Sequence, residues 1–253
     1  MSAAACRVDL HVKVLDDRVV RRAKAQGLDA LVYAPHFRRL PAIEREAAAY
    51  SDDDLEIIPA REVFTGSWRN RKHVLALDLA APVPDFITLE GAMSAFADQE
   101  AVVLVPHPEF ATVSLTAADL RQYQQQIDAI ETYNPKHLAY HNRRATILAE
   151  RTGVPKFTSS YAHLRHTVGE AWTTFPGIEP RIETIIDALR TGTQRHIEYR
   201  AGLSHRLRCL AEIAHLGWEN SWKKFDRVIL HDIEATHPRH PAYEGRFDDV
   251  AVY

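Results

Sequence analysis

Short β-rich runs alternate with helical stretches along most of the chain. Runs such as Val8–Val14, Asp29–Ala34 and Ala101–Pro106 are separated by segments whose apolar residues recur at helical spacing. About seven or eight strand–helix steps follow one another, with no half of the chain set apart as all-strand or all-helix. This repetition predicts a parallel sheet, either closed into a barrel or doubly wound.

Glycine-rich nucleotide motifs do not occur in the sequence. Neither G-x-G-x-x-G nor G-x-x-x-x-G-K is present, and only 10 of the 253 residues are glycine. A Rossmann or P-loop site is therefore disfavoured. The barrel is favoured, because a single α/β barrel commonly takes about 250 residues.

The C-terminal part of the sequence has a different pattern. Ser204–Phe225 is predicted to form one long helix with an apolar stripe that includes Leu207 and Leu210. Five basic residues lie between Arg206 and Arg227, and we interpret them as a solvated face, with a nucleic-acid contact as the alternative. We therefore predict a barrel over residues 1–200, and a C-terminal helix and tail over 201–253 that pack on it.

Composition and charge restrict the class of protein. A net charge of −3 argues against a polycation that coats nucleic acid. The two cysteines, Cys6 and Cys209, cannot form a disulfide framework or a cysteine-based zinc site, and they suit a reducing compartment. No signal-peptide pattern or membrane-length apolar run occurs. We expect a cytoplasmic protein without a membrane partner, and its oligomeric state stays open.

Histidine is unusually frequent, with 14 in the chain. A lone histidine after a strand is more often an ordinary turn residue than a ligand. Here, however, several of them and one glutamate come at predicted strand–helix junctions, which converge on one face of a barrel. Neutral imidazoles and a carboxylate suit Zn²⁺, Mn²⁺ or Fe²⁺. The predicted metal ligands are His11, His36, Glu62, His73, His107 and His163.

The order of these motifs resembles the PHP family, the polymerase and histidinol phosphatase metal-dependent hydrolases. The resemblance runs from about Arg7 to Gly192, and Glu131-Thr132-Tyr133-Asn134 is similar to the family's Glu-x-Tyr-Asn strand. It implies an α/β fold, a distorted (β/α)7 TIM-like barrel, here with a C-terminal helical extension. It also implies a site for up to three divalent metal ions that hydrolyses phosphate esters. The matching motifs are Asp9-Leu10-His11-Val12-Lys13, Ala34-Pro35-His36, Ala60-Arg61-Glu62, His73, His107-Pro108 and Ser160-Tyr161-Ala162-His163.

Four positions depart from the family pattern. Lys13 stands where the family has its second opening histidine, and Tyr161 where it has the closing aspartate. Pro35 and Arg18 replace two further aspartates. The resemblance implies that the first ion loses two of its four ligands, while a second ion keeps Glu62, His73 and His107. A third ion keeps His36 and His163. A reduced cluster of one or two ions is therefore expected.

Lys13 places an ammonium where a dication would otherwise lie. We expect it to pair with Glu62 and to attract phosphate oxygens. Lys13 and His163 are the predicted catalytic residues, and His163 or His36 is the candidate ligand or general acid. Carboxylation of Lys13, which would create a new ligand, is a less favoured alternative. Nearby arginines such as Arg38, Arg61 or Arg165 are candidates to offset charge on the substrate.

The sequence predicts a metal-dependent phosphoesterase that acts on a small phosphate ester or nucleotide. The alternative is a non-catalytic barrel that serves as an RNA-binding subunit, like the similar barrel in ribonuclease P. Lys13, Pro35 and Tyr161 fit such a decaying site, whereas the joint survival of Glu62, His73 and His107 favours the enzyme. Hydrolysis of a C–N bond by the same kind of site is a third hypothesis.

Overall fold

The computed structural model describes residues 5–67, 70–109, 113–215 and 235–252. Within these ranges the chain forms nine strands and seven helices. The strands are β1 (Ala5–Val12), β2 (Ala30–Tyr33), β3 (Glu56–Thr65), β4 (Lys72–Leu77), β5 (Val102–Val105), β6 (Ala129–Tyr133), β7 (Lys156–Thr158), β8 (Ala171–Pro176) and β9 (His196–Tyr199). The helices are α1 (Asp17–Ala25), α2 (Leu40–Tyr50), α3 (Leu89–Ala97), α4 (Ala117–Gln122), α5 (Ala139–Thr152), α6 (Ile182–Arg190) and α7, which includes residues 203–215.

The strands form one sheet in the order β7-β6-β5-β4-β3-β2-β1-β8-β9, which curls into a nearly closed barrel. The β1 and β7 ends meet through Lys13, whose backbone N–H donates to the Ala162 carbonyl at 2.9 Å. Thr173 of β8 bridges to β7, because its hydroxyl accepts from Thr158 N and donates to Thr158 O, both at 3.0 Å. The predicted α/β barrel is confirmed.

The prediction of a parallel sheet is wrong for β4, β8 and β9, which pair antiparallel with their neighbours. β1–β2, β2–β3, β5–β6 and β6–β7 are parallel, but β4 is antiparallel to both of its neighbours. The connection between Thr65 and Lys72 is too short for a crossover helix, so β4 returns beside β3 as a hairpin. β8, also antiparallel, was not predicted, because its central threonines and Pro176 weaken the apolar signal.

Local sequence features account for the ends of two helices and for one buried strand. Thr116 and Asp119 form a capping box at the start of α4. α5 ends at Gly153 with a left-handed φ of 69°, a conformation that glycine adopts without strain. β5 is buried on both faces: Val103 and Val105 face the helices, and Leu104 faces the barrel interior.

The apolar stripe expected to bury α7 lies on the wrong side of the helix. Leu207 and Leu210 are exposed, and the buried face carries His205, Cys209 and Glu212 instead. Ion pairs of the buried Glu170 determine which face of α7 packs inward. Glu170 pairs with His205 at 2.7 Å and with Arg208, both on α7, and with Arg22 of α1. The helix was predicted to extend to Phe225. Its residues beyond 215, including the basic residues Lys223 and Lys224, lie outside the described residues.

The tail, predicted as a loop, docks on the body of the protein over residues 235–252. Thr88 N donates to Val250 O at 2.8 Å, and Val252 N donates to Phe86 O at 2.9 Å. Tyr243 is fully buried in this contact. None of the described helices is long and apolar enough to cross a membrane.

The Thr173 bridge predicts a specific effect on barrel closure. Thr173→Val leaves the Thr158 N–H and carbonyl without their buried partner, which lowers the free energy of unfolding by about 1–3 kcal/mol. Thr173→Ser keeps the hydroxyl and loses one methyl, at a cost of about 1 kcal/mol or less. Urea unfolding of both variants measures the difference, and equal losses would show that the bridge contributes nothing.

Candidate metal centre

The barrel brings four of the predicted histidine ligands around the carboxylate of a fifth predicted ligand, Glu62. Glu62 lies in β3, which extends past it because of the hairpin with β4, and its side chain is fully buried. His11, His36, His73 and His107 come from β1, the β2 end, β4 and the β5 end, and all lie within 4 Å of its oxygens. The sixth, His163, follows β7 and packs against His36, with ring centroids 5.4 Å apart.

The two oxygens of Glu62 have different neighbours. Oε2 is 2.5 Å from the Lys13 ammonium and 2.9 Å from His36 Nε2. Oε1 is 3.4 Å from both His73 Nδ1 and His107 Nε2, and 3.7 Å from His11 Nε2. The expected Lys13–Glu62 ion pair is therefore present, and it engages only one side of the carboxylate.

Burial and charge set the protonation of these groups. Burial raises the pKa of Glu62, but the charge of Lys13, with smaller contributions from His11 and His73, outweighs it and holds that pKa well below its usual range. Burial lowers the pKa of Lys13 to about 8, and Glu62 opposes this shift. Burial also lowers the pKa of His36 and of His73 to about 4. These two imidazoles are thus neutral near pH 7, the form that binds metal ions.

Glu62, His73 and His107 form a group that could hold a divalent ion. Their ligand atoms all lie within 4.8 Å of one another, and both carboxylate–imidazole separations are 3.4 Å. Metal–ligand bonds of about 2.1 Å in tetrahedral geometry place ligand atoms about 3.4 Å apart. Two imidazoles and a carboxylate suit Zn²⁺, Mn²⁺ or Fe²⁺. The residues present therefore fit one ion beside Oε1.

Hydrogen bonds fix the tautomer of His107. The Ser114 hydroxyl donates to the His107 carbonyl at 2.5 Å, so its oxygen accepts from His107 Nδ1 at 3.0 Å. Nε2 is left without a proton and faces Glu62 Oε1. Two lone pairs then point at each other, an arrangement that a cation between them stabilises. Ser114 was not predicted, since nothing in the local sequence marks it.

Glu131 supports the same histidine from behind. Its buried carboxylate accepts from His107 N at 2.8 Å, from Asn134 Nδ2 at 3.0 Å and from Ser159 Oγ at 2.6 Å. It thereby ties the His107 turn, where φ is 34°, to the β6 and β7 ends. The sequence analysis noted that this segment resembles the family's Glu-x-Tyr-Asn strand, but it did not predict the contact between Glu131 and His107.

An aromatic ring stands where the resemblance places an aspartate. Tyr161 has a left-handed φ of 50°. Its ring centroid lies 4.7 Å from that of His11 and 4.8 Å from that of His163. Lys13 Nζ is 5.7 Å from the ring centroid and Lys136 Nζ is 4.2 Å from it. This side of the site therefore presents two ammonium groups and a ring where the resemblance implies a histidine and an aspartate as ligands.

The arginines proposed to contact substrate have other partners. Arg61 is fully buried and binds Asp85 Oδ1 at 3.0 Å and the Arg38 carbonyl at 2.6 Å, so its expected role at the substrate is wrong. Arg38 pairs with Glu46. Arg165 pairs with Asp16 at the wall of a cavity of about 500 Å³ that reaches His163.

Comparisons with known proteins agree with this geometry. A family described as PHP-associated matches residues 139–193, and no curated protein matches the chain. The crystal structure of PsfC from Pseudomonas syringae PB-5123 has a TM-score of 0.62 at 19% identity, over 85% of this chain and 99% of PsfC. These findings, with the two structures below, are consistent with a PHP-family member. The resemblance read from the motifs is confirmed.

Two further structures of the PHP-like barrel share the fold. The lesion-specific endonuclease PfuEndoQ from Pyrococcus furiosus has a TM-score of 0.58 at 17% identity, over 81% of this chain and 60% of its own. An amidohydrolase from Chromobacterium violaceum, with bound sulfate and no metal, has a TM-score of 0.54 at 14% identity, over 77% of this chain and 98% of its own. Identities this low show the fold alone.

The ligand group predicts which histidines control metal content. His73→Ala and His107→Ala each remove one of three ligands, so bound zinc after dialysis should fall at least tenfold. His196→Ala is the matched control, because His196 is exposed on β9. Metal analysis by plasma mass spectrometry measures this, and unchanged zinc in His107→Ala would contradict the assignment.

Proposed function

We propose that this protein is a metal-dependent hydrolase, and specifically a phosphoesterase that acts on a small phosphate ester or nucleotide through one or two ions. The observation that carries the proposal is that the two carboxylate oxygens of Glu62 have different partners. Lys13 binds Oε2 at 2.5 Å, while Oε1 faces His73 and His107. A fixed ammonium thus replaces one ion of the PHP-like cluster, and one complete ligand group survives.

A bound divalent ion would supply Lewis acidity and lower the pKa of a water molecule. Lys13 serves the substrate side of this chemistry. An ammonium has three N–H donors, and two of them bind Glu62 and the Ala34 carbonyl. The third is available to a phosphoryl oxygen as negative charge develops there.

Access to the centre is restricted. His11, Glu62 and His107 are 0–2% exposed, whereas the side chain of His36 is 21% exposed. The cavity beside His163 adjoins the same end of the barrel. Substrate therefore approaches along His36 and His163, and the buried centre behind them excludes bulk water.

The fold neighbours support the hydrolase class. An endonuclease and an amidohydrolase share this barrel, so a phosphodiester of a nucleic acid and a C–N bond are the other substrate classes to test. The non-catalytic RNA-binding alternative is less favoured, because a decaying site has no need to keep Glu62, His73 and His107 at ligand spacing.

Hydrolysis of an aryl phosphate tests the reaction. We expect turnover that requires added Mn²⁺ or Zn²⁺, falls at least 100-fold in His107→Ala and is unchanged in His196→Ala. Metal-independent turnover, or RNA that co-purifies with an inactive protein, would favour the alternatives.

Ion counting tests the role of Lys13. The wild type should hold one or two ions per chain, and Lys13→His together with Tyr161→Asp should raise the count, because both restore ligands. Lys13→Met is the control, since it removes the charge without adding a ligand. Three tightly bound ions in the wild type would refute the fixed-cation proposal.

A further inference from the structure

Helix α7 lies outside the barrel but places a carboxylate beside the centre. Glu212 is 1% exposed. Its Oε1 accepts from His163 N at 2.9 Å, from Leu164 N at 2.7 Å and from the Thr167 hydroxyl. Its Oε2 is 3.3 Å from Lys136 Nζ. One side chain of the C-terminal helix therefore holds the loop that carries His163.

Lys136 continues this connection into the site. It follows β6, is 8% exposed, and donates to the Tyr161 carbonyl. The same ammonium lies 2.9 Å from His163 Nδ1. Glu212 and Lys136 together thus fix both the backbone and the ring of His163.

The charge of Lys136 determines the tautomer of His163. An ammonium only donates hydrogen bonds, and Glu212 stabilises it in the charged form. His163 Nδ1 must therefore accept, and the neutral ring carries its proton on Nε2. The Tyr161 carbonyl lies 3.0 Å from Nδ1 and accepts from Lys136. A proton on Nδ1 would also face the ammonium 2.9 Å away, which favours the tautomer that leaves Nδ1 bare.

This is the opposite of the arrangement at His107. A histidine that binds a metal ion donates its other N–H to a carboxylate, a carbonyl or a water molecule. His107 does this, since its Nδ1 donates to Ser114. His163 faces an ammonium at that position, so its neutral ring would carry its proton on the nitrogen that would have to bind the ion.

We propose that Lys136 and Glu212 are positioning residues that hold His163 as a hydrogen-bond donor to an anionic oxygen of the substrate, and that His163 is not a metal ligand. Nε2 is buried and has no hydrogen-bond partner among the residues that the structure describes. His163 also lines a cavity of about 500 Å³, together with Asp16 and Arg165. Only the identity of the bound anionic oxygen as a phosphoryl or leaving-group oxygen rests on the proposed function.

Histidine ¹⁵N NMR of the full chain tests the tautomer directly, with His163→Gln to assign the signal. The wild type should show His163 protonated at Nε2. Lys136→Met should abolish that preference and Lys136→Arg should retain it, because arginine also only donates. Protonation at Nδ1 in the wild type, or no change in Lys136→Met, would overturn the proposal.

Metal content tests the second half of the proposal. His163→Gln should bind as much zinc as the wild type, whereas His107→Gln should lose at least tenfold. An equal loss in both variants would make His163 a ligand and overturn the proposal. Should the wild type fail to hydrolyse any phosphate ester, the phosphoesterase proposal fails, while the NMR and zinc results still decide the role of His163.

Turnover gives a third readout for an active enzyme. His163→Gln and Lys136→Met should each lower kcat about 100-fold, with Lys136→Arg recovering at least tenfold of the loss. A loss in Lys136→Met that Lys136→Arg does not recover would show that Lys136 acts only through packing and would contradict the positioning role.

Discussion

The buried carboxylate of Glu62 is the constraint on which the rest of this site depends. A fully buried carboxylate requires compensating charge and hydrogen bonds. Lys13 supplies the charge at 2.5 Å, and removal of one partner from such a buried pair typically destabilises a protein by about 3–5 kcal/mol. Because Lys13 and His36 engage only Oε2, Oε1 remains directed at His73 and His107. Under the proposed function, the substitution that removes one ion site thus preserves the other.

Hydrogen bonds one step away from the centre assign different roles to chemically identical side chains. Ser114 leaves His107 with an unprotonated Nε2 that faces the carboxylate of Glu62, and Glu131 holds the backbone of His107. Lys136 gives His163 the other tautomer, and Glu212 of α7 holds Lys136. The C-terminal helix therefore affects the site inside the barrel, although the helix itself packs outside the barrel.

The sequence was informative about features that recur along the chain. Alternating strands and helices predicted the barrel, and the barrel explains why residues as distant as His11 and His107 meet at Glu62. The sequence was uninformative about features that are determined by contacts between residues far apart in the chain. The β4 hairpin, the buried Arg61–Asp85 pair and the face on which α7 packs depend on such contacts. Ser114, Lys136 and Glu212 carry no local signal for the same reason.

The central claim is that one ion binds at Oε1 of Glu62 while Lys13 takes the place of another. Anomalous diffraction from crystals soaked in Zn²⁺ or Mn²⁺ tests it most directly. We expect a peak among Glu62 Oε1, His73 and His107, and none between Lys13, His11 and Tyr161. An ion bound on the Oε2 side, with Lys13 displaced from Glu62, would contradict this account.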